Sequence, residues 1–444
     1  MALHPRFGSL GSATPISTEQ LRVGRFDSHG LHGWLVDLPG KKPLATPAVA
    51  DGRVYVGGGF GSHEFYCFDA RSGEPVWALR VSDDGPSAAV VDEGCVAFNT
   101  ESCTLFVVDA RTGAHRWSRW LGDPLLSQPA AHNGTVYMAY PAPSGSHLLA
   151  AFALRDGTLR WEAAIPSDVI SAPIVAGDSI YYATFDGSVH RRRARDGALV
   201  YSRPMNATSA PWISGEEVHV AQRGADERGA PVEGFSAVGP RGDVHVTMRS
   251  QRRATYLDPT SQARTSYARE TQISDASVGF ASGPPPSSKA SAAAANVGQS
   301  TVRGLWEYQG SRPTVIGQTA WVTHGTAVRA LDARTGDPRW EQPLRGDASL
   351  FGGHLASPPA YARGGVIAVG TVTGEIVLYD APTGRIRAVL PVGQAMRFQP
   401  TIAGGRVFAG TTAGTLIAFD TGDPALDGWP MWGGDAGHNG GALR

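Results

Sequence analysis

The hydrophobic residues of this chain fall into short runs bounded by glycine, asparagine and aspartate. Val54-Tyr55-Val56 follows a turn at residues 51–52, and Val136-Tyr137-Met138 follows a turn at residues 133–134. Short runs of β-branched and aromatic residues between turn-forming residues predict β-strands joined by tight hairpins. The pattern therefore predicts an all-β chain built from many short antiparallel strands.

One segment recurs along the chain at a nearly constant spacing. Residues 332–340 read Asp-Ala-Arg-Thr-Gly-Asp-Pro-Arg-Trp, and residues 69–77 and 109–117 are close copies of that segment. Trp117 lies 40 residues after Trp77, and Trp161 lies 44 residues after Trp117. A repeat of this length is typical of stacked or radial arrays of one structural unit.

The chemistry of the repeated segment predicts a hairpin followed by a docked aromatic ring. The leading Asp can accept hydrogen bonds from backbone N–H groups further along the turn, and the Gly supplies the positive φ that closes it. The Trp then falls on the strand that leaves the hairpin. Since an indole is too large to be buried within one thin sheet, we expect each Trp to pack between neighbouring sheets, where its burial contributes about 1.5 to 3 kcal/mol.

A second element, a proline followed by a turn and a strand, marks the beginning of each repeat. Its positions are Pro47, Pro86, Pro129, Pro173, Pro211, Pro313, Pro358 and Pro400. These prolines indicate eight units, each with the pattern of a four-stranded antiparallel sheet, and such sheets can close into a ring that buries both of their faces. The predicted fold class is an all-β, eight-bladed β-propeller of four-stranded antiparallel blades with an insertion in the fifth blade.

The insertion is indicated by the spacing of the prolines, because Pro211 and Pro313 are 102 residues apart. We assign residues 239–300 to it and expect them to be irregular or partly helical, with short helices over 261–276 and 287–298. Residues 1–31 are assigned to an N-terminal extension and residues 32–444 to the propeller. Residues 32–38 resemble the Trp-bearing strand of the other units and are expected to complete the last blade, with Trp429 and Trp432 packed over that seam.

Composition and charge limit the class of partner and the compartment. The 444-residue chain has a formal net charge of −1, which gives no basic excess for nucleic acid, and it has no apolar run long enough for a transmembrane helix. The cysteines form no Cys-x-x-Cys pair, and residues 1–10 show no signal-peptide pattern. These features predict a cytoplasmic protein, or a periplasmic one if a leader has been removed. Nothing in the sequence indicates its oligomeric state.

The repeated Asp-Ala-x-Thr-Gly-x-x-x-Trp segment, the proline-led first strand and the closing segment 429–440 resemble the pyrroloquinoline-quinone-type repeats, also called tryptophan-docking repeats. The resemblance extends over about residues 34–440 apart from the insertion. It implies a quinoprotein dehydrogenase-like fold. That family contains calcium- and quinone-dependent alcohol and glucose dehydrogenases, and also non-catalytic members such as a lipoprotein that assists outer-membrane barrel assembly.

The resemblance also implies which residues a dehydrogenase of this type would need. Such enzymes have an adjacent pair of cysteines against the cofactor, a tryptophan floor, and a Glu/Asn/Asp set that holds calcium and provides the base. Cys95 and Cys103 are eight residues apart, so the adjacent pair has no counterpart. No catalytic or metal-binding residue can be transferred by motif. We therefore expect a non-catalytic member without a cofactor. Pyrroloquinoline quinone (PQQ) and calcium belong only to the alternative in which the chain is a quinoprotein oxidoreductase.

The candidate binding residues are polar groups in loops that converge on one mouth of the central channel of a propeller. They are Lys41, Lys42, Gln128, Asp168, Asn206, Arg312, His354 and Arg397. Their mixed charges and hydrogen-bonding groups suit a rim that binds a protein or peptide. The sequence thus predicts a non-enzymatic scaffold with a protein or peptide partner. The alternatives are the PQQ- and calcium-dependent dehydrogenase and a small-molecule or sugar sensor.

Overall fold

Eight antiparallel β-sheets arranged in a ring make up the part of the chain that the structure describes. The structure is a computed structural model, and it describes residues 11–28, 30–101, 103–122, 127–142, 147–225, 231–253, 309–347, 354–429 and 431–438. Within those ranges every regular element is a strand. Innermost strands contact one another in six of the eight pairs of neighbouring sheets, among them the eighth and the first, so the ring closes. The predicted all-β, eight-bladed propeller is confirmed.

Each blade begins with an inner strand beside the channel and ends with an outer strand at the rim. The strands that precede blade one are β1 (Ala13–Pro15), β2 (Val23–Ser28) and β3 (Leu31–Asp37). Blade one contains β4 (Ala48–Ala50), β5 (Arg53–Gly57), β6 (Glu64–Asp69) and β7 (Pro75–Val81), and blade two contains β8 (Val90–Asp92), β9 (Cys95–Asn99), β10 (Thr104–Asp109) and β11 (His115–Trp120). Blade three contains β12 (Ala130–His132), β13 (Thr135–Pro141), β14 (His147–Ala153) and β15 (Leu159–Ile165).

The second half of the ring repeats this order. Blade four contains β16 (Ile174–Ala176), β17 (Ser179–Ala183), β18 (Ser188–Arg193) and β19 (Leu199–Pro204), and blade five contains β20 (Trp212–Ser214), β21 (Glu217–Ala225), β22 (Pro231–Val238) and β23 (Val244–Arg253). Blade six contains β24 (Thr314–Ile316), β25 (Thr319–His324), β26 (Ala327–Asp332) and β27 (Pro338–Pro343), and blade seven contains β28 (Ala360–Ala362), β29 (Val366–Gly370), β30 (Glu375–Asp380) and β31 (Ile386–Pro391). Blade eight contains β32 (Thr401–Ala403), β33 (Arg406–Gly410) and β34 (Thr415–Asp420).

Blade eight is completed by a strand from the opposite end of the chain. β3 pairs antiparallel with β34, so that Trp34 lies opposite Ala418 and Gly33 lies opposite Phe419. The Thr415 hydroxyl donates a hydrogen bond to the side chain of Asp37, between the same two strands, at 2.5 Å. The two ends of the chain therefore share one sheet, and a continuous hydrogen-bonded ladder closes the ring.

The residues before β3 also belong to the propeller. β2 pairs with the outer side of β3, and β1 pairs with the outer side of β7, so blades eight and one each have five strands. Part of the segment 1–31, which the sequence assigned to an extension, is therefore built into these two blades. The hydrophobic pattern of this segment is weak, because an outermost strand is held by backbone pairing and buries at most one face in part. In β2, for example, no residue is fully buried.

Blade five extends further along the chain than the sequence predicted. Residues 239–243 form its last hairpin, in which the Gly239 N–H donates to the Asp243 carbonyl oxygen at 2.8 Å, and β23 is its outer strand. The boundary of the insertion placed at residue 239 was therefore too early, because this hairpin lacks the Asp-to-Trp signature of the other units. Residues 254–300 of the predicted insertion, including both predicted helices, lie outside the described residues.

An indole docked on the hairpin of the next blade joins five pairs of neighbouring blades in the described part of the chain. In each pair the indole Nε1 donates a hydrogen bond to a backbone carbonyl oxygen of the next blade. The donor and acceptor residues are Trp34 and Ala70 (3.3 Å), Trp77 and Ala110 (3.3 Å), Trp117 and Leu154 (2.8 Å), Trp161 and Ala194 (2.8 Å), and Trp340 and Ala381 (2.9 Å). The same rings lie against Gly73, Gly113, Gly157, Gly197 and Gly384, where an added Cβ would be 2.5 to 2.8 Å from a ring atom. The predicted packing of Trp between sheets is correct. The hairpin glycine both closes the turn and leaves room for the indole.

Two other joints between described blades depart from this arrangement. Between blades four and five the aromatic position holds Tyr201, and Arg203 Nε donates to the Gly242 carbonyl oxygen at 2.6 Å. Between blades seven and eight the same position holds Ala388, and no atom lies within 4 Å of a Cβ added at Gly422. Less aromatic surface is therefore buried at these two joints.

The hairpin aspartates accept the hydrogen bonds that the sequence predicts. Asp332 Oδ1 accepts from the backbone N–H groups of Arg334 and Thr335, both at 3.0 Å, and Gly336 has φ +77°. Arg339 Nη2 donates to the other carboxylate oxygen at 2.9 Å. The hydrogen bond from Arg339, together with the two backbone donors, lowers the pKa of Asp332 to about 2. The carboxylate is therefore ionised at neutral pH and holds the turn in its closed form.

We expect Trp117→Ala to lower the free energy of unfolding by about 3 to 5 kcal/mol, since it removes a buried indole and leaves a cavity between two blades. Trp120→Ala is the matched control, because Trp120 lies on the same strand and is 39% exposed; its expected loss is below about 1 kcal/mol. Urea unfolding followed by circular dichroism measures both variants. Equal losses for the two would show that the indole is not what joins blades two and three.

Substitution of the docking glycine separates the need for positive φ from the need for space. Gly157 and Gly177 have φ +72° and +59°, but an added Cβ would meet Trp117 at 2.8 Å only at Gly157 and has nothing within 4 Å at Gly177. Gly177→Ala is expected to cost about 1 to 2 kcal/mol for the left-handed backbone, and Gly157→Ala about 1 to 3 kcal/mol more for the clash. Parallel urea titrations measure the difference, and identical midpoints would contradict the docking role.

Candidate functional site

Three of the predicted binding residues lie at the surface of loops that join neighbouring blades. Lys41 and Lys42 are exposed in the turn after β3, and Asn206 is exposed between β19 and β20. The backbones of Lys41 and Asn206 pack closely on glycines of adjacent hairpins, since a Cβ at Gly414 would lie 2.6 Å from Lys41 Cα and one at Gly187 would lie 2.8 Å from Asn206 Cα. Close backbone packing thus fixes these loops while the side chains remain exposed.

Three further predicted residues are partly or fully buried. Asp168 is 1% exposed: its Oδ1 accepts from the N–H of Val169 at 3.0 Å, and its carbonyl oxygen accepts from the N–H of Phe185 at 2.9 Å. It therefore connects two loops of blade four rather than contributing an exposed group to a rim. His354 and Arg397 are half-buried in the loops that lead into blades seven and eight.

The C-terminal part of the chain enters the centre of the ring, and we call residues 429 and 431–438 the axial segment. Trp429 and Ile402 exchange two backbone hydrogen bonds at 2.8 and 2.9 Å. Further along, the N–H of Val91 donates to the carbonyl oxygen of residue 436 at 2.7 Å, and the N–H of Ala131 donates to that of residue 437 at 2.9 Å. The segment therefore pairs with inner strands of blades eight, two and three, and it occupies the channel axis.

Stacked indoles fill the axis between the axial segment and blade five. The rings of Trp212 and Trp429 are 5.1 Å apart at their centroids with an interplanar angle of 13°. Trp212 Nε1 donates to the carbonyl oxygen of Val315 at 2.6 Å, so the ring is anchored to the inner strand of blade six. Both rings are almost completely buried. The pair forms an apolar plug in the centre of the propeller.

Arg312 is buried between this plug and a third indole. Its Cζ lies 5.3 Å from the ring centroid of Trp212 and 5.2 Å from that of Trp432, so the cation contacts two aromatic rings. Nη2 donates to the carbonyl oxygen of Pro211 at 2.6 Å, whereas Nε and Nη1 have no hydrogen-bond partner among the described residues. Burial lowers the pKa of Arg312 to about 9.

His438 lies beside the same indole at the end of the axial segment. Its ring centroid is 3.7 Å from that of Trp432 in an edge-on arrangement, and neither ring nitrogen has a hydrogen-bond partner in the part of the chain that the structure describes. Burial, followed by the positive charge of Arg312, holds the pKa of His438 well below its usual value. The imidazole is therefore neutral at pH 7 in the structure as described.

Two glutamines tie the axial segment to the ring. Gln399 Oε1 accepts from Trp429 Nε1 and from the N–H of Gly433, both at 3.0 Å, and its Nε2 donates to the Pro359 carbonyl oxygen at 2.7 Å. Gln128 Oε1 accepts from Trp432 Nε1 at 2.6 Å, and within the described ranges Gln128 Nε2 has no acceptor. Each indole N–H is thus satisfied by an amide that stands at the start of a blade.

Gln128 and Arg312 were predicted among the polar groups at one mouth of the channel, whereas both are buried against the axial segment. Trp429 and Trp432 were predicted to pack over the seam of the last blade, but Trp432 contacts residues that precede blades three and six. The reason is that the chain leaves β34 and then turns into the channel rather than covering the outer side of the blade. A usable signal was present, since Gln128, Arg312 and Gln399 each directly precede one of the eight prolines.

The residues at the axis do not match the calcium and quinone site that the resemblance implies for dehydrogenases. Calcium takes oxygen ligands, carboxylates above all. The described groups that meet at the axis are indoles, a guanidinium, an imidazole and two amides, whose oxygens accept hydrogen bonds from the indoles. Within the described ranges, no three His, Cys, Asp or Glu side chains are placed to hold a metal ion. Cys67, Cys95 and Cys103 are buried, on or beside blades one and two, and none of them forms a disulfide. The described side chains at the axis therefore do not fit a calcium and quinone site.

The described part of the chain contains no helix that is long and apolar enough to span a membrane.

Known proteins share both the sequence pattern and the fold. The factor BamB of Bordetella pertussis, named for outer membrane protein assembly, is 23% identical over 248 residues, which cover 44% of this chain and 63% of that protein. The serine/threonine-protein kinase AfsK of Streptomyces griseus is 29% identical over 150 residues, which cover 29% of this chain and 17% of the kinase. The chain therefore spans less than two-thirds of the length of these relatives.

Solved structures agree on the propeller. BamB from Moraxella catarrhalis superposes with a TM-score of 0.58 and 15% identity, covering 90% of this chain and 100% of that one. The quinohemoprotein alcohol dehydrogenase of Comamonas testosteroni superposes with a TM-score of 0.56 and 12% identity, covering 89% of this chain and 77% of the enzyme. At these identities the superpositions establish the fold only.

A family model of PQQ-like repeats, described as outer membrane protein assembly factor BamB, matches residues 19–238 and 324–432. The match includes all eight blades in whole or in part, and it confirms the resemblance to the tryptophan-docking repeats. Because it extends over well more than half of the sequence, the chain belongs to the family described as outer membrane protein assembly factor BamB.

Proposed function

We propose that this chain is a non-enzymatic scaffold that binds a protein partner during the assembly of outer-membrane proteins, in the periplasm. The family description and the names of several relatives support the process and the partner class. They also favour the periplasm, the alternative compartment, over the cytoplasm that the pattern of residues 1–10 predicts. We place the partner on the outside of the ring.

The observation that carries this proposal is that the chain itself occupies the channel axis. Trp429 and Trp212 stack across the centre, and backbone hydrogen bonds hold the axial segment to Ile402, Val91 and Ala131. A small substrate that entered along the axis would have to displace this segment. The blade edges and the exposed loops are what remain for recognition, and these suit a protein surface.

The outer edge of blade four has the features of a site for an added strand. In the described part of the chain no strand pairs with the outer side of β19, whereas the corresponding edge of β7 in blade one is paired with β1. The pairing of β1 with β7 thus shows that the outer edge of a blade in this chain can accept an antiparallel strand. Leu199 and Val200 at the beginning of β19 are 53% and 49% exposed. An unpaired edge with exposed apolar residues favours pairing with an extended segment of another protein.

Blade one offers a matched control for blade four. Val76 and Val200 occupy the same position, three residues after the hairpin glycine and at the β-bulge of the outer strand. Val76 is 42% exposed, which is similar to Val200. The two strands differ in that β1 pairs with β7 at Leu79–Val81, beyond Val76, whereas no described strand pairs with the outer side of β19.

We expect Val200→Asp to reduce the amount of folded outer-membrane proteins in the source bacterium to the level of a strain that lacks the chain, because a charge on an open edge opposes strand addition. Val76→Asp is expected to retain the wild-type level. The measurement is the heat-modifiable fraction of outer-membrane proteins on gels, with the amount of the chain itself checked by immunoblot. If deletion of the gene has no effect, the assembly role is refuted, and if both variants behave alike, the blade-four edge is refuted.

The scaffold proposal also predicts the outcome of a direct assay for redox activity. Purified chain incubated with PQQ and calcium is expected to give no alcohol- or glucose-dependent reduction of an electron-accepting dye, since the described groups at the axis include no carboxylate to hold calcium. A quinoprotein dehydrogenase assayed in parallel serves as the positive control. Saturable dye reduction by this chain that depends on both additions would contradict the proposal and favour the oxidoreductase.

A further inference from the structure

The guanidinium of Arg312 has no negative partner in the described part of the chain. It makes one hydrogen bond to a neutral carbonyl oxygen, that of Pro211, while Nε and Nη1 have none. The side chain is 2% exposed. A buried charge is costly unless a counter-charge or several hydrogen bonds compensate for it. The contacts with Trp212 and Trp432 offset only part of that cost, because the ring faces carry no net charge.

Arg312 and His438 pack against the same residue, Gly433. A Cβ added there would be 2.5 Å from Arg312 Nη1 and 2.9 Å from His438 Cδ2, the ring carbon bonded to Nε2, so only a glycine, here with φ +88°, fits between them. Among the described residues neither nitrogen of His438 has a hydrogen-bond partner, and the residue has no exposed surface. Two fully buried side chains with unsatisfied nitrogen atoms therefore meet at one point of the axis.

A negatively charged group satisfies this arrangement better than a water molecule does. Water could accept a hydrogen bond from Nη1 but would leave the charge of the guanidinium uncompensated. An oxyanion would accept from Nη1 and from an imidazole N–H, and charge-assisted hydrogen bonds of this type are about twice as strong as neutral ones. The site is enclosed by Trp212, Trp432 and the backbone of the axial segment, which strengthens the attraction by excluding solvent.

We propose that Arg312 and His438 form a binding site for a small oxyanion, of the carboxylate or phosphate type, inside the propeller. The anion joins blade six, which Arg312 precedes, to the end of the axial segment, which carries His438 and Trp432. The site is independent of the blade-four edge. Its occupation would stabilise the closed ring without any change in the partner surface.

The first test compares wild type with Arg312→Met by thermal unfolding in sodium acetate, phosphate and sulfate, each against sodium chloride at equal ionic strength. Methionine retains an apolar side chain of similar length and removes the charge. The wild-type midpoint is expected to rise with the concentration of at least one oxyanion, and a concentration of 100 times Kd corresponds to about a 100-fold change in the unfolding equilibrium. The midpoint of Arg312→Met should not respond. Equal responses of the two proteins would overturn the proposal.

The second test needs no variant and therefore does not depend on the folding of Arg312→Met. Crystals of the wild-type chain grown with sodium selenate are expected to show an anomalous peak at hydrogen-bonding distance from Arg312 Nη1 and His438. His438→Phe, which keeps the aromatic contact with Trp432, should lower the occupancy of that peak. Water alone at the position, or the terminal carboxylate of the chain itself, would overturn the proposal.

Discussion

The structure depends on the docking of an indole from one blade on the hairpin glycine of the next. A four-stranded sheet has two apolar faces and cannot bury either alone, so neighbouring sheets must be held in contact around the ring. Trp117 illustrates how this is done: it packs on Gly157 and donates its N–H to the Leu154 carbonyl oxygen. The contact requires an indole and a missing side chain, which explains why the same two residue types recur at the period of the blade.

The centre of the ring follows a different physical rule. Inner strands are short and converge, so the space between them has to be filled by side chains or by another segment of chain. Here Trp429 and Trp432 fill it, and Gln399 and Gln128 satisfy their N–H groups. The position directly before each blade-leading proline is well suited to such contacts, because it stands at the start of an inner strand. Because the axis is filled, the partner site proposed at the outer edge of blade four is separate from the anion site proposed at the axis.

The repeat made most of the fold predictable, since the eight prolines and the docked Trp residues mark blades by local sequence. The closing strand was readable because Trp34 belongs to the same pattern. β1 and β2 were not readable, because an added edge strand is held by backbone pairing and leaves little side-chain signal. The site was predictable only in part. Arg312 was recognised as a channel residue, but its burial between two indoles depends on a contact with Trp432, far away in sequence, which no local pattern contains.

The sharing of blade eight between the two ends of the chain has a consequence for synthesis on the ribosome. β3 emerges early and can form a hairpin with β2, but its other partner, β34, is made only after the seven other blades, so one edge of β3 has no strand to pair with during most of translation. Pairing between such distant segments is slow, because the intervening chain must first be ordered. The nascent polypeptide therefore exposes a tryptophan-bearing hairpin with one open edge for a prolonged period, and this edge is a natural point of contact for chaperones.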